Sequence, residues 1–190
     1  MQNLKFVLIV CSVVNLLSAG ELLTNGNFEQ PLDIGWYSTI VTATSYDTID
    51  RQTFFHPDPD YEVRVKKYDA VCAKVYQTIS IPTTDLDFSV NAKLYAYEYT
   101  PTASYWAAAA IILRYLDDNN NWLGETRITY KTPHSPWINT STVHLINAPD
   151  PNNWYQYNFN LNSELANLSG INSSAIRKIQ VLLMDTTNGC

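Results

Sequence analysis

Residues 107–130 read AAAAIILRYLDDNNNWLGETRITY, and this stretch decides the fold class of the chain. The four alanines alone are compatible with a helix, but Ile111, Ile112 and the aromatic neighbours favour a strand. The acidic and amide residues at 117–121 are turn formers that end the strand abruptly. We therefore predict a β-hairpin, and small alanines on a strand indicate that a large group packs across them.

The rest of the chain repeats this organisation. β-branched and aromatic residues recur with a period of two, and Asn, Asp, Pro and Gly separate the runs. Because a single flat sheet of this apolar content would leave one face in water, we predict an all-β fold of two stacked sheets, a β-sandwich. A helix is expected only at residues 163–168, with Ser163 as its N-cap. The predicted strands are residues 37–46, 61–65, 70–81, 87–99, 105–116, 123–130, 154–161 and 178–184.

The first 20 residues have the composition of a secretory signal peptide. Lys5 gives a basic start, residues 6–14 are mostly apolar, and small residues follow at 18–20. We predict cleavage after Ala19 or Gly20, so that residues 21–190 form the single domain of a secreted, extracellular protein. No later segment has the roughly 18 apolar residues that a membrane span needs.

The charge of the chain bears on its partners. The sequence has a formal net charge of −6 at pH 7, and the predicted loss of Lys5 makes the mature chain more acidic. An acidic surface repels phosphate backbones, and the longest basic segment is the short run at 64–67. We therefore do not expect nucleic acid to be a partner.

The cysteines suggest one disulfide. Cys11 lies in the predicted signal peptide, and the two that remain are Cys72 and Cys190. An even number in an exported chain indicates a bridge between them, whereas a reducing compartment would keep them as thiols. The three histidines show no ligand spacing with either cysteine, so we do not expect a zinc site.

Surface loops are marked by two kinds of signal. Glycosylation sequons begin at Asn139, Asn167 and Asn172, and a host that glycosylates asparagine would need these loops to be exposed. The segment at 131–153 contains four prolines and little strand pattern. Irregular segments of that length in a compact domain often carry function.

The segment after the predicted signal resembles a known family. It reads ELLTNGNFE at 21–29 and continues to Gly35-Trp36, which is similar to the opening of the galactose-binding-like jelly rolls. Many carbohydrate-binding modules belong to that family. The sequences YEVRV at 61–65, VYQTISIP at 75–82 and WYQY at 154–157 follow in the order the family would have. The resemblance therefore implies a jelly-roll fold for residues 21–184.

The resemblance also implies a structural calcium ion. In the family, the Asn-Gly-x-Phe-Glu segment helps to hold Ca²⁺, which takes six to eight oxygen ligands. The matching residues here are Glu29, Asn25 and Asn27. The alternative is that Asn25-Gly26 is only a turn and Glu29 a solvated carboxylate.

The end of the sequence departs from the family pattern. Family members close with a strand that carries Asp-Asp and an apolar residue, whereas residues 186–190 read TTNGC. Two interpretations follow. Either the chain is a fragment of a longer product, or an open sheet edge accepts a strand from a neighbour and allows self-association.

The sequence gives little support for catalysis. Its acidic pairs at 58–60, 85–87 and 117–118 all have turn-like surroundings, and no Gly-x-Ser-x-Gly elbow is present. His134 and His144 have no obvious acid to orient them. We therefore predict that the protein is not an enzyme.

Glycan binding is the function that the sequence favours. The chain has 13 Tyr, 5 Trp and 6 Phe, and aromatic planes stack on the apolar faces of sugar rings. We predict a groove of aromatic residues over a floor of alanines, with a polysaccharide or other glycan as ligand. The alternatives are that the tyrosines are ordinary strand residues, or that the protein is a structural or adhesive subunit that assembles through its open edge. The predicted ligand-binding residues are Tyr95, Tyr97, Tyr99, Trp106, Arg127 and Trp137.

Overall fold

A computed structural model describes residues 7–18, 20–42, 44–56, 59–68, 71–98 and 105–187 of the chain. Strands make up 49% of the structure and helix 5%, which confirms the all-β prediction. Among the described residues, one short helix, α1 (Leu161–Leu165), and one 3₁₀ turn at Ser173–Ala175 are present. The strands are β1 (Val7–Ser18), β2 (Gly20–Glu21), β3 (Tyr37–Val41), β4 (Thr48–Gln52), β5 (Glu62–Lys67), β6 (Cys72–Ser80), β7 (Asp87–Tyr95), β8 (Ala107–Leu116), β9 (Trp122–Lys131), β10 (Val143–Asn147), β11 (Tyr155–Asn160) and β12 (Lys178–Thr187).

The strands form two sheets that pack face to face. The first sheet has the order β11-β7-β1-β5-β4, with β2 attached to β1, and the second has the order β10-β9-β8-β12-β6-β3. Among the described strands, all pairings are antiparallel except that of β10 with β9, which is parallel. The result is a β-sandwich consistent with a jelly roll.

All eight predicted strands are present, with shifted ends. Within the predicted mature chain, β4 and β10 are additional strands that the sequence did not predict. The unpredicted β4 has the sequence TIDRQ, in which every residue is half-buried, so it shows no alternation of apolar and polar residues. The unpredicted β10 lies inside the segment that was expected to be irregular. The helix starts earlier than predicted, at Leu161, because the Asn160 side chain rather than Ser163 provides the cap by accepting a hydrogen bond from the Asn162 N–H (3.0 Å).

The core confirms the predicted alternation. Phe88, Val90, Ala92 and Leu94 of β7 are each 1% exposed and face the second sheet. On β8, odd-numbered residues from Ala107 to Tyr115 join the same core. The Tyr115 hydroxyl is hydrogen-bonded to Thr126 Oγ1 (2.9 Å), and burial raises its pKa. Full burial of each large apolar side chain is worth about 1.5–3 kcal/mol.

The N-terminal segment is part of the first sheet. Val7–Ser18, all of which falls in the predicted signal peptide, forms β1 between β5 and β7. Residues 1–6 and Ala19 lie outside the described residues, and so does the predicted cleavage step. Secretion therefore stays a prediction. The structure shows the fold with residues 7–18 still joined to the rest of the chain.

A buried charge lies where β12 meets the end of β5. Asp185 and Lys67 are both 0% exposed, and the Asp185 Oδ2 accepts a hydrogen bond from the Lys67 backbone N–H (2.8 Å). Burial removes hydration from the carboxylate, and this raises the pKa of Asp185 well above its usual value although Lys67 opposes the effect. The folded chain therefore binds this proton more tightly than the unfolded chain.

We expect Asp185→Asn to flatten the pH dependence of stability. A raised pKa in the folded state contributes stability that is complete below the unfolded pKa of about 3.9 and is lost as the pH rises through the folded value. The unfolding temperature of the native chain should therefore fall as the pH is raised through that window, and the fall should be smaller in Asp185→Asn. Thermal unfolding monitored by circular dichroism checks this. Identical pH profiles for the two proteins would show that folding does not raise the pKa of Asp185.

Candidate binding face of the second sheet

One row of residues crosses the outer face of the second sheet. The strand register places Arg127, Ile112, Leu182, Tyr76 and Tyr37 side by side on β9, β8, β12, β6 and β3. With strands about 4.8 Å apart, the row spans about 19 Å. Its middle is apolar, and aromatic groups lie at both ends.

At the β3 end of the row, two tyrosines are stacked. The rings of Tyr37 and Tyr76 lie 5.7 Å apart with an interplanar angle of 28°. Tyr37 is 68% exposed although it is a large aromatic residue. The pair therefore presents one accessible aromatic plane to the solvent, supported from below by a second ring.

At the β9 end, two tryptophans meet an arginine. The Arg127 guanidinium lies 4.2 Å from the ring centroid of Trp137, a cation–π contact. The Trp106 ring packs edge-on against the same indole, with 5.7 Å between centroids. Indole and guanidinium planes thus form a half-buried wall beside the row.

The loop after β9 brings Trp137 to this position. Its start is held by the Thr132 N–H, which donates to the Ala107 carbonyl (2.9 Å), and by the Ser135 N–H, which donates to the Thr132 carbonyl (3.0 Å). Further along, the Leu145 N–H donates to Asn139 Oδ1 (2.7 Å). Hydrogen bonds at both ends therefore fix a loop whose sequence, rich in proline, predicts little regular structure.

A polar row runs parallel to the aromatic one, two residues along each strand. Arg114 Nε donates to Glu125 Oε2 (3.0 Å), and its Nη1 donates to Gln180 Oε1 (3.3 Å). Gln180 Nε2 in turn donates to Thr78 Oγ1 (3.0 Å). The side chains of four adjacent strands are thus joined in one hydrogen-bonded chain.

Glu125 is the anchor of this polar row. It is 2% exposed and also accepts a hydrogen bond from Arg127 Nε (2.6 Å), so one carboxylate holds two arginines. The preceding residue, Gly124, allows β9 to lie close to Thr142. A Cβ atom on residue 124 would be only 2.6 Å from the Thr142 carbonyl oxygen. The Glu125 N–H donates to that same oxygen (2.9 Å).

The floor between the two ends is apolar and closely packed. Ala110, Ile112, Leu182 and Met184 form a cluster on the outer face, with Cys72 at its edge. Tyr76 and Trp137 are the partly buried aromatic residues that pack against it. On this face, Trp137 is therefore one of two large side chains that pack against the cluster containing Ala110 of β8.

The structure brings together three of the predicted ligand-binding residues, namely Trp106, Arg127 and Trp137. Tyr95 lies on β7 in the first sheet, between core residues and therefore on the outer face of the opposite side of the sandwich. Tyr97 follows the end of that strand and is 45% exposed. Tyr99 lies outside the described residues.

Tyr37 and Tyr76, at the other end of the row, were not among the predicted ligand-binding residues. A tyrosine at the beginning of a predicted strand gives no sign of its exposure, and strand order decides which residues become neighbours. The chain forms β4 and β5 between Tyr37 and Tyr76, and the two tyrosines meet only because β3 pairs with β6.

The predicted calcium residues form a hydrogen-bonded turn. The Asn25 Nδ2 donates to the carbonyl oxygens of Gln30 (3.0 Å) and Pro31 (3.2 Å), and its Oδ1 accepts from the Gln30 N–H (2.9 Å). Those carbonyls face an amide nitrogen, so Asn25 fits the turn interpretation better than a ligand set. Glu29 Oε1 accepts from the Tyr61 N–H (3.2 Å), and Asn27 Oδ1 lies 3.4 Å from the Glu29 nitrogen. Across the described ranges, no group of three or more His, Cys, Asp or Glu could hold a metal ion.

We expect Asn25→Ala to destabilise the fold whether or not calcium is present. The substitution removes the side-chain hydrogen bonds of the turn and puts alanine at a backbone φ of 54°, which asparagine tolerates better. The free energy of unfolding should fall by about 1–3 kcal/mol. Urea unfolding in calcium and in EDTA measures this. A loss seen only in calcium would instead identify Asn25 as a calcium ligand.

His134 and His144 each have an acidic partner that the sequence did not reveal. His134 Nδ1 lies 2.7 Å from Glu98 Oε1, and His144 Nδ1 lies 2.5 Å from Glu164 Oε1. Glu164 also accepts a hydrogen bond from Thr126 Oγ1 (2.8 Å). The expectation that these histidines lack an orienting acid is therefore wrong. The partners lie 36 and 20 residues away in sequence, so spacing could not identify them.

The predicted modification sites have different outcomes. Asn139, Asn167 and Asn172 are all exposed, as the sequons require. Cys72 is buried in the outer cluster, whereas Cys190 lies outside the described residues. Glycosylation and the disulfide therefore stay predictions.

Comparisons with known proteins add no assignment. A scan against models of known protein families finds no match. A search of curated proteins finds no similar sequence. In the part of the chain that the structure describes, no helix is long and apolar enough to cross a membrane.

Proposed function

We propose that this chain is a secreted, non-catalytic carbohydrate-binding module of the galactose-binding-like type, which holds a glycan across the outer face of its second sheet. The observation that carries the proposal is the row from Arg127 to Tyr37, with an exposed tyrosine plane at one end and an indole wall at the other. Sugar rings stack on such planes through their apolar C–H faces.

The polar row beside it supplies what sugar hydroxyls need. Arg114, Gln180 and Thr78 combine donors and acceptors on one line, and Glu125 holds the first of them in place. Sites that bind small molecules typically combine an apolar surface with a few placed polar groups. The two parallel rows have this combination.

The length of the row favours an extended ligand. A span of about 19 Å across five strands is longer than one sugar ring, so an oligosaccharide lying across the strands could touch Tyr37 and Trp137 together. A glycan that contacts both ends of the row would use Tyr37 and Trp137 together, although these residues are far apart in sequence.

A glycan-array screen tests the proposal. The secreted chain should give specific signals, and Tyr37→Ala should lose them because it removes the exposed plane. Tyr46→Ala is the matched control, since Tyr46 is 63% exposed but lies in the turn between β3 and β4. Well-folded protein that binds no glycan would overturn the proposal and favour a structural subunit that assembles through its sheet edge.

A further inference from the structure

The first sheet depends on a strand that the predicted maturation removes. β1 pairs with β5 from Val7↔Lys67 to Cys11↔Val63, and with β7 from Leu8↔Tyr95 to Leu17↔Asp87. Among the described strands, β5 and β7 belong to the same sheet only through β1. If the signal peptide is cleaved, a slot one strand wide opens in the middle of this sheet.

The slot cannot remain empty without exposing the core. Val63 and Val65 on one side, and Val90, Ala92 and Leu94 on the other, are each at most 1% exposed. Both flanking strands would also lose backbone hydrogen-bond partners, and unpaired buried groups are strongly unfavourable. Because β5 and β7 lie two strand spacings apart, about 10 Å, they cannot pair directly without a rearrangement of the sandwich.

The flanks of the slot define the chemistry of the strand that fits it. Both β5 and β7 run antiparallel to β1, so an incoming strand must take the same direction. Arg64 and Lys93 are half-buried, alternate with core residues, and flank the register position of Val10 on the outer side. Arg64 already forms an ion pair with Asp50 of β4, so an acidic residue at that position would interact chiefly with Lys93, which an uncharged residue cannot do.

The register positions on either side of that acid require apolar residues. One of them lies between Val65 and Leu94, and the other lies between Val63 and Ala92. All four neighbours belong to the core. The pattern is therefore apolar, acidic, apolar over three residues of an extended strand.

We propose that in the mature chain the slot between β5 and β7 is a binding site for an extended strand of a partner polypeptide, with an acidic residue opposite Arg64 and Lys93 and an apolar residue on each side of it. The partner strand adds to both edges at once, so the main chain supplies affinity and the alternating side chains supply specificity. This inference rests on the predicted cleavage and is independent of glycan binding.

Peptide binding to the secreted chain tests the proposal. The chain is produced through a secretory pathway and its N-terminus is determined by mass spectrometry. The probes are three synthetic peptides of the sequence at 7–18 with Cys11→Ala, namely one otherwise unchanged, one with Val10→Asp and one with Val10→Pro. We expect the Val10→Asp peptide to bind about tenfold more tightly than the unchanged one and to raise the unfolding temperature. The Val10→Pro peptide should not bind, because proline removes a ladder hydrogen bond.

A variant of the protein provides the matched control. Lys93→Glu should reverse the preference between the unchanged and the Val10→Asp peptides. If the mature chain is recovered unfolded, refolding that succeeds only with the Val10→Asp peptide supports the proposal. Three results would overturn it: a secreted chain that retains residues 7–18, a folded monomer whose stability no peptide changes, or a dimer in which a second copy closes the slot.

Discussion

A Glu125→Ala variant is expected to lose about 2 kcal/mol of the free energy of unfolding and to bind glycan about tenfold more weakly. Glu125 is 2% exposed and its carboxylate holds both Arg114 and Arg127. Without it, two guanidinium groups on neighbouring strands have lost their shared counter-charge. Removal of one partner from a buried ion pair costs about 3–5 kcal/mol, and the partial exposure of the two arginine side chains, 34% and 19%, reduces that figure.

Urea unfolding and glycan titration measure the two effects separately. Asp118→Ala is the control, because the Asp118 side chain is 77% exposed and lies 4.0 Å from Arg177. That surface change should alter stability by less than about 0.5 kcal/mol. A Glu125→Ala protein as stable as the control would show that the two arginines do not need the carboxylate.

A Trp137→Ala variant is expected to reduce glycan affinity by about ten- to a hundredfold, or about 1.4–2.8 kcal/mol. The indole is at once the wall of the proposed site, the partner of Arg127 and a cover for the apolar floor. Its loss removes a stacking plane and leaves the guanidinium without its aromatic neighbour. Trp137→Phe should retain part of the affinity, since a smaller ring still provides a plane.

Isothermal titration with a glycan selected on the array measures this series. Thermal unfolding is recorded for each variant, so that a loss of fold is not mistaken for a loss of binding. Equal affinities for the native chain and Trp137→Ala would place the glycan elsewhere on the molecule.

The architecture could be predicted from the sequence because it depends on local alternation. The hairpin at 107–130 and the buried positions of β7 follow directly from a period of two, since burial of one face of a strand enforces that pattern. The β4 segment TIDRQ could not be predicted in this way. All of its residues are half-buried, so its sequence does not alternate between apolar and polar residues.

The candidate site was harder to predict because it depends on strand order. Trp106 directly precedes β8, Arg127 lies on β9, and Trp137 lies in the loop between β9 and β10. These segments are close in sequence, and the structure brings the three residues together. Tyr95 was grouped with them because β7 precedes β8, yet these two strands lie in different sheets. Alternation tells which residues share a face of one strand, but it does not tell which strands share a sheet.

The N-terminal segment shows a different limit. A short apolar run has the composition of a signal peptide and also that of a fully buried strand, and composition alone does not separate the two. In the structure the run is a central strand, whose neighbours Val65 and Leu94 are core residues. Whether it is removed decides how the first sheet is completed in the mature protein.

Glycan binding on the outer face of the second sheet can be tested directly by NMR spectroscopy. The chain contains two methionines, Met1 in the predicted signal peptide and Met184 in the floor of the proposed site. An isotope label on the methionine methyl group therefore gives the mature protein one signal, which Met184→Leu assigns by its loss. We expect this signal to shift in proportion to the bound fraction when a glycan from the array is added. Saturable glycan binding with an unshifted Met184 signal would contradict it.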